Sequence, residues 1–219
     1  MSDVTITVRG ENESRVTPER ATIRVTVRTE GPERTSVVDQ VMRLSEPLRA
    51  SITQRKDAGT VAEWSSKRIA VSADRPWSNE GKRLALVYRS SIDFSATFTD
   101  PSELSIWVSD ISAWDGVEVG WVNWHLTPET RARVERDVAS SAVSVAVARA
   151  EAYAAALGLT DVTPLEIADV GLISQGQTPA APHMLKSRDA IFAESAPAME
   201  YEPDEIVVSA TVEARFNAH

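Results

Sequence analysis

At 219 residues, 42% hydrophobic and 25% charged, the chain has an ordinary globular composition and is long enough to bury a substantial core. It has no cysteine, which excludes disulfides, thiolate metal sites and thiol catalysis, and its net charge of −9 argues against a nucleic-acid binder. No run approaches the roughly 18 apolar residues of a membrane-spanning helix, and Met1-Ser-Asp-Val4 lacks the basic and apolar regions of an export signal. A cytoplasmic location is the natural expectation, although a processed exported form would begin the same way.

Two alternating runs open the chain. Val4, Ile6 and Val8 alternate with Thr5, Thr7 and Arg9, and Ala21, Ile23, Val25 and Val27 alternate with Thr22, Arg24, Thr26 and Arg28. Each reads as a half-buried strand, with the arginines on the solvated side. After Gly31-Pro32 the period changes. Val37, Val41, Leu44, Leu48 and Ile52 predict an amphipathic helix over 33–54, and Pro47 is expected to kink or break it near residue 46. Strand character returns over 61–73, with Ile69, Val71 and Ala73 on one face. A turn cluster follows at 75–81.

Residues 83–98 give the clearest strand. Leu84, Leu86, Tyr88, Ile92, Phe94, Ala96 and Phe98 share one parity, and the length predicts a bulge near Ser90-Ser91. Asp100 suits a helix N-cap, with Pro101 in the first turn and Glu103 at capping-box spacing, so a helix is expected to about Ala113. A strand over 117–126 leads into the longest helix, capped by Thr127-Pro128 and stopped at Gly158. Further strands are predicted at 164–172 and 204–216. Between them, residues 173–203 carry four prolines and, from Asp189 to Glu205, six acidic residues with no basic one. A segment this long reads as a solvated loop or as an arm that orders against a neighbouring subunit.

Several pieces, in order, resemble SIMPL-domain proteins. Val16-Thr-Pro-Glu-Arg-Ala21 is similar to that family's Val-x-Pro-Asp-x-Ala turn. Tyr88 to Phe98 followed by Asp100-Pro-Ser-Glu-Leu104 resembles its Tyr-Arg strand and next helix. Gly116-Val-Glu-Val-Gly120, the Ala-rich Ala148–Gly158 and Asp204–Val212 resemble its later strand, helix and terminal strand. The resemblance spans residues 4–216. It implies an α+β fold, a mostly antiparallel sheet with helices packed on it, here with a long Pro/Ala-rich loop before the last strand and a single domain over 1–219. Family members include ring-forming envelope proteins, proteins linked to stress defence and a signalling adaptor, mostly of unknown activity. This chain departs from the envelope members in lacking an export signal.

Candidate chemistry is sparse. His125, His183 and His219 are scattered, no His pair has metal-ligand spacing, and no nucleophile elbow, P-loop or dinucleotide fingerprint is present. Glu118, Glu129, Glu135 and Asp137 cluster around one strand–helix junction, where solvated helix charges are the simplest account. No catalytic residue, metal ligand or cofactor is expected. Tryptophan is the unusual feature, with Trp107, Trp114, Trp121 and Trp124 close together after Trp64 and Trp77. Strict alternation places Trp121 with Val117 and Val119, and Trp124 with Val122 on the other face. Ordinary packing accounts for most of the set. As a partner or ligand surface the candidates are Trp124 beside His125, Trp77 on its turn, and Trp121.

The long helix is apolar nearly all round from Ala142 to Leu157, which implies a second covering surface besides a sheet. Val143, Val147, Ala150 and Ala154 are the candidate oligomer surface. The preferred expectation is a non-catalytic SIMPL-like scaffold, stress- or envelope-related, that forms a homo-oligomer and binds a protein partner. The alternative is a small-molecule binding protein, or an enzyme of unrecognised type, using the Trp-rich strand 117–125.

Overall fold

A computed structural model describes residues 3–77, 83–173 and 202–219. In chain order the elements are β1 (Val4–Val16), β2 (Arg20–Gly31), α1 (Arg34–Asp57), β3 (Val61–Ser66), β4 (Ala70–Asp74), β5 (Val87–Phe98), α2 (Pro101–Ile111), β6 (Val117–His125), α3 (Pro128–Ala156), β7 (Val162–Asp169) and β8 (Ile206–Ala218). Every strand pairing is antiparallel, and helices cover the sheets, so the fold is α+β. The chain divides into two compact units. One contains β1, α3, β7 and β8, and the other runs from Pro18 to His125. The predicted loop or arm at 173–203 falls almost wholly on residues 174–201, outside the described residues.

The Pro18–His125 unit is built on the sheet β3-β5-β2-β6, with β4 also paired to β5. Its core takes the predicted parity: Ala21, Ile23, Val25 and Val27 from β2, with Ile92, Phe94, Ala96 and Phe98 from β5. Helix α1 lays Val41, Leu48 and Ile52 on this face, and α2 adds Leu104, Trp107 and Ile111. The Asp100 carboxylate accepts from the Ser102 N–H at 2.8 Å, so the predicted cap is in place, and the helix ends at Ile111 rather than Ala113.

Four local expectations are corrected. Helix α1 continues through Pro47 to Asp57. Proline removes only one donor, and the apolar stripe on both sides of it is anchored in the core. The bulge expected near Ser90-Ser91 is absent, since β5 pairs with β2 without a register shift from Tyr88 to Phe98. The interruption lies in the neighbouring segment instead. β3 pairs with Phe94–Phe98 and β4 with Val87–Ser91, so 61–73 is two short strands separated at 67–69. Finally, 83–86 lies outside β5, where Leu84 is exposed.

The other unit is a three-stranded sheet, β1-β8-β7, with α3 packed on one face. Thr127 caps α3 by accepting from the Thr130 N–H at 3.3 Å, and Gly158 ends it at a φ of 76°. The buried stripe is Val134, Val138, Ala142, Ala146, Ala150 and Ala154, a ridge of fourth-residue neighbours. Small side chains let the backbones approach closely. A Cβ added at Gly10 of β1 would overlap the Ala142 carbonyl oxygen and stand 2.7 Å from the Ala146 nitrogen. The ridge meets Ile6, Val8, Ala214, Phe216 and Ala218 in the core.

Candidate functional site

The candidate residues divide between two surfaces. On the sheet β3-β5-β2-β6, the face opposite the helices carries the polar parity. Its side chains form a cross-strand hydrogen-bonded ladder. Thr22 and Thr97 share a bond of 2.8 Å, Thr26 donates to Asp93 at 2.9 Å, and Arg28 reaches Glu118 at 3.0 Å. Lys67 approaches the second Asp93 oxygen at 3.3 Å. At the far end Arg89 bridges Asp74 at 2.6 Å and Glu30 at 3.2 Å, which raises its pKa further and keeps it charged.

The Asp93 carboxyl is held below the ordinary range, mainly by the hydrogen bond from Thr26, which outweighs the opposing effect of burial, and then by Lys67 and the nearby Arg24 guanidinium. Folding therefore favours its charged form. The stability it contributes is present above the unfolded carboxylate pKa of about 3.9 and is lost as pH falls through the lower folded value. Asp93→Asn is expected to destabilise the protein more at pH 6 than at pH 3, read as the shift in urea midpoint. An equal shift at both pH values would show that Asp93 does not carry this dependence.

Strand β6 corrects the expected tryptophan parity. Ile23 pairs with Val122 and Val25 with Val119, so Gly120 and Trp121 together stand opposite Arg24 in a bulge. Val117, Val119, Val122 and Trp124 consequently all pack on the core, and Trp121 is left outside at 68% exposure. Gly120 permits this geometry, because a Cβ there would lie 2.8 Å from the Arg24 carbonyl oxygen. Trp124 is partly buried on the core, and His125 ends the strand with Nδ1 at 3.2 Å from the Asn123 carbonyl oxygen. Trp77 is 88% exposed and follows β4. Trp107 is fully buried, and Trp64 and Trp114 pack against the same core. His183 lies outside the described residues.

Next to the Trp121–Arg24 row is a shallow groove of about 260 Å³ lined by Thr22, Glu63, Trp64, Ser65, Ser95 and Thr97. Glu63, Ser65 and Ser95 are not recognisable as a set from local sequence. They meet only through the pairing of β3 with β5, a relation between distant segments.

The second surface belongs to the other unit. Of the four candidate oligomer residues, Ala150 and Ala154 are buried against their own sheet, at 0% and 1% exposure, and present no surface to a partner. Val143 and Val147 flank that stripe and are only partly covered. With Pro164, Leu165, Glu166, Ile167, Ala214 and Phe216 they line an apolar groove of about 360 Å³ between α3 and β7. A register shift at Leu165 keeps both Pro164 and Ile167 opposite the core-facing residues Phe216 and Ala214. α3 lies mainly over β1 and β8, so Leu165 and Ile167 stay 59% and 55% exposed.

Among the described residues no three His, Asp or Glu side chains converge as a metal site, and no helix is long and apolar enough to cross a membrane.

Antiparallel sheets backed by an Ala-rich helix and a capped short helix, in this order, define an α+β protein of the kind that the sequence motifs resemble. Residues 6–216 match the SIMPL family model, described as a protein of unknown function (DUF541), and the chain belongs to that family. No curated protein matches the chain.

Proposed function

We propose that the protein is a non-catalytic scaffold that associates with itself, and with protein partners, through the apolar groove between α3 and β7. The supporting observation is the row of partly or largely exposed apolar side chains there: Val143, Val147, Leu165 and Ile167. A groove of this kind sets several apolar side chains side by side on a chain of net charge −9. Burying it against a second copy removes that surface from water, and the Glu166–Arg215 pair at 3.0 Å supplies a polar rim.

Light scattering coupled to size exclusion tests this reading. The expected result is a discrete multiple of the 23.9 kDa chain mass, retained at two salt concentrations. Leu165→Asp places a charge in the groove at a largely exposed position, so it should return the mass to that of one chain without loss of helical circular dichroism. A wild-type mass of a single chain would overturn self-association.

A further inference from the structure

The outward face of the β3-β5-β2-β6 sheet holds a set of side chains that the scaffold reading does not use. In one cross-strand row Ser65 of β3 pairs with Ser95 of β5, Ser95 with Arg24 of β2, and Arg24 stands opposite Gly120-Trp121 of β6. Three strand spacings make this row about 14 Å long. Glu63 and Thr97 lie in the adjacent row and line the same groove as Ser65 and Ser95.

These groups differ from the rest of the face. Most of its polar side chains are tied to one another, as in Thr22–Thr97, Thr26–Asp93 and Arg28–Glu118. Arg24, Glu63, Ser65 and Ser95 make no side-chain hydrogen bond or salt bridge to any described residue. Trp121 beside them is 68% exposed, at a position that unbroken alternation along β6 would bury. The bulge at Gly120 turns it outward, and a bulge that re-aims a side chain is a feature commonly found beside binding sites.

We propose that this row is a binding site for a neutral oligosaccharide. One pyranose ring lies on the Trp121 indole, whose electron-rich face attracts the polarised C–H groups of the sugar. Glu63 accepts hydrogen bonds from neighbouring hydroxyls, and Arg24, Ser65 and Ser95 donate to ring and hydroxyl oxygens along the groove. The ladder around them holds the backbone, and with it these side chains, in place.

The charges favour this ligand over others. A carboxylate and a guanidinium lie in adjacent rows, with Asp93 and Glu118 close by, so a polyanion such as a nucleic acid meets as much repulsion as attraction. An apolar surface finds two tryptophans, Trp121 and the partly buried Trp64, set among polar and charged side chains. An extended peptide docks by its backbone groups, which a sheet face does not offer. A hydroxyl-rich ring uses both signs of charge together with the aromatic plane.

The site lies in the Pro18–His125 unit, so its test is independent of self-association through α3 and β7. The fluorescently labelled full chain is applied to an array of neutral glycans covering glucans, xylans, mannans and chitin fragments, with a single-stranded oligonucleotide and heparin as polyanions. The expected result is binding to at least one neutral class, confirmed by calorimetry with the free oligosaccharide. Trp121→Ala abolishes it and Glu63→Gln weakens it about tenfold. Both positions are exposed, and unchanged circular dichroism checks that both variants fold. No neutral glycan bound, binding unaffected by Trp121→Ala, or retention of the polyanions alone would each overturn the proposal.

Discussion

Trp107→Ala is expected to destabilise the Pro18–His125 unit by about 3–5 kcal/mol, a large share of the total stability of a typical domain. Trp107 has 0% exposure, its ring centroid lies 5.1 Å from that of Phe98, and its indole N–H donates to the Ser51 hydroxyl at 3.0 Å. Truncation opens a cavity where α1, α2 and β5 contribute to one core, and removes an aromatic pair as well. Ser51 keeps a second partner in Arg55, at 2.9 Å, so the loss is mainly one of packing. Trp121→Ala is the natural control, because an exposed side chain on the same core's outer sheet costs about 0.5 kcal/mol or less. Urea titrations of the two variants measure the contrast. A Trp107→Ala loss below about 1 kcal/mol would mean that the site collapses around the missing ring.

Gly10→Ala is the second large effect, from a change of one methyl group. The new Cβ would overlap the carbonyl oxygen of Ala142 and crowd the Ala146 nitrogen, at 2.7 Å, and the Ala146 methyl, at 2.9 Å. Overpacking of a core typically costs about 1–3 kcal/mol, and this case belongs at or above the upper limit because the obstacles are helix backbone, which no rotamer change relieves. Either α3 lifts from β1 or β1 bends away from β8. A consequence separates this from ordinary side-chain crowding: Ala146→Gly in the Gly10→Ala background removes only one of the three contacts and is expected to restore little. Thermal unfolding of the single and double variants reads this directly, and full rescue by Ala146→Gly would refute the backbone account.

The features legible in the sequence are those that a short segment decides by itself. The Asp100 and Thr127 caps, the Gly158 stop and the core parity of Ile92, Phe94, Ala96 and Phe98 follow from local chemistry, and all are present. The bulge of β6 was not legible, because it is a property of pairing: only the register against Ile23 and Val25 reveals that Gly120 and Trp121 share one place. That one residue reverses the sides of Trp121 and Trp124. The covering of α3 was likewise half visible. Its composition predicts apolar contact all round, but which alanines face the sheet depends on where β1 and β8 lie beneath it. Those strands come from opposite ends of the chain, with Val4 paired to Ala218. Arg24, Glu63, Ser65 and Ser95 are ordinary surface residues until strand pairing aligns them.

The strand boundaries carry a consequence for behaviour at high concentration. Three of the four open sheet margins among the described residues are interrupted, and the fourth, β1, is continuous from Val4 to Val16. Pro164 lacks an amide donor and Leu165 breaks the register of β7, Gly120-Trp121 breaks that of β6, and the margin beside β5 is split between β3 and β4. On β1, Arg9, Glu11, Glu13 and Arg15 stand at alternate positions. The breaks on three margins and the charged side chains on the fourth blunt the templating of another chain, which is the route to fibrils. Concentrated protein should therefore stay clear and fail to bind amyloid dyes while natively folded, with association steered to side-chain surfaces, where a contact can close on itself and stop growing.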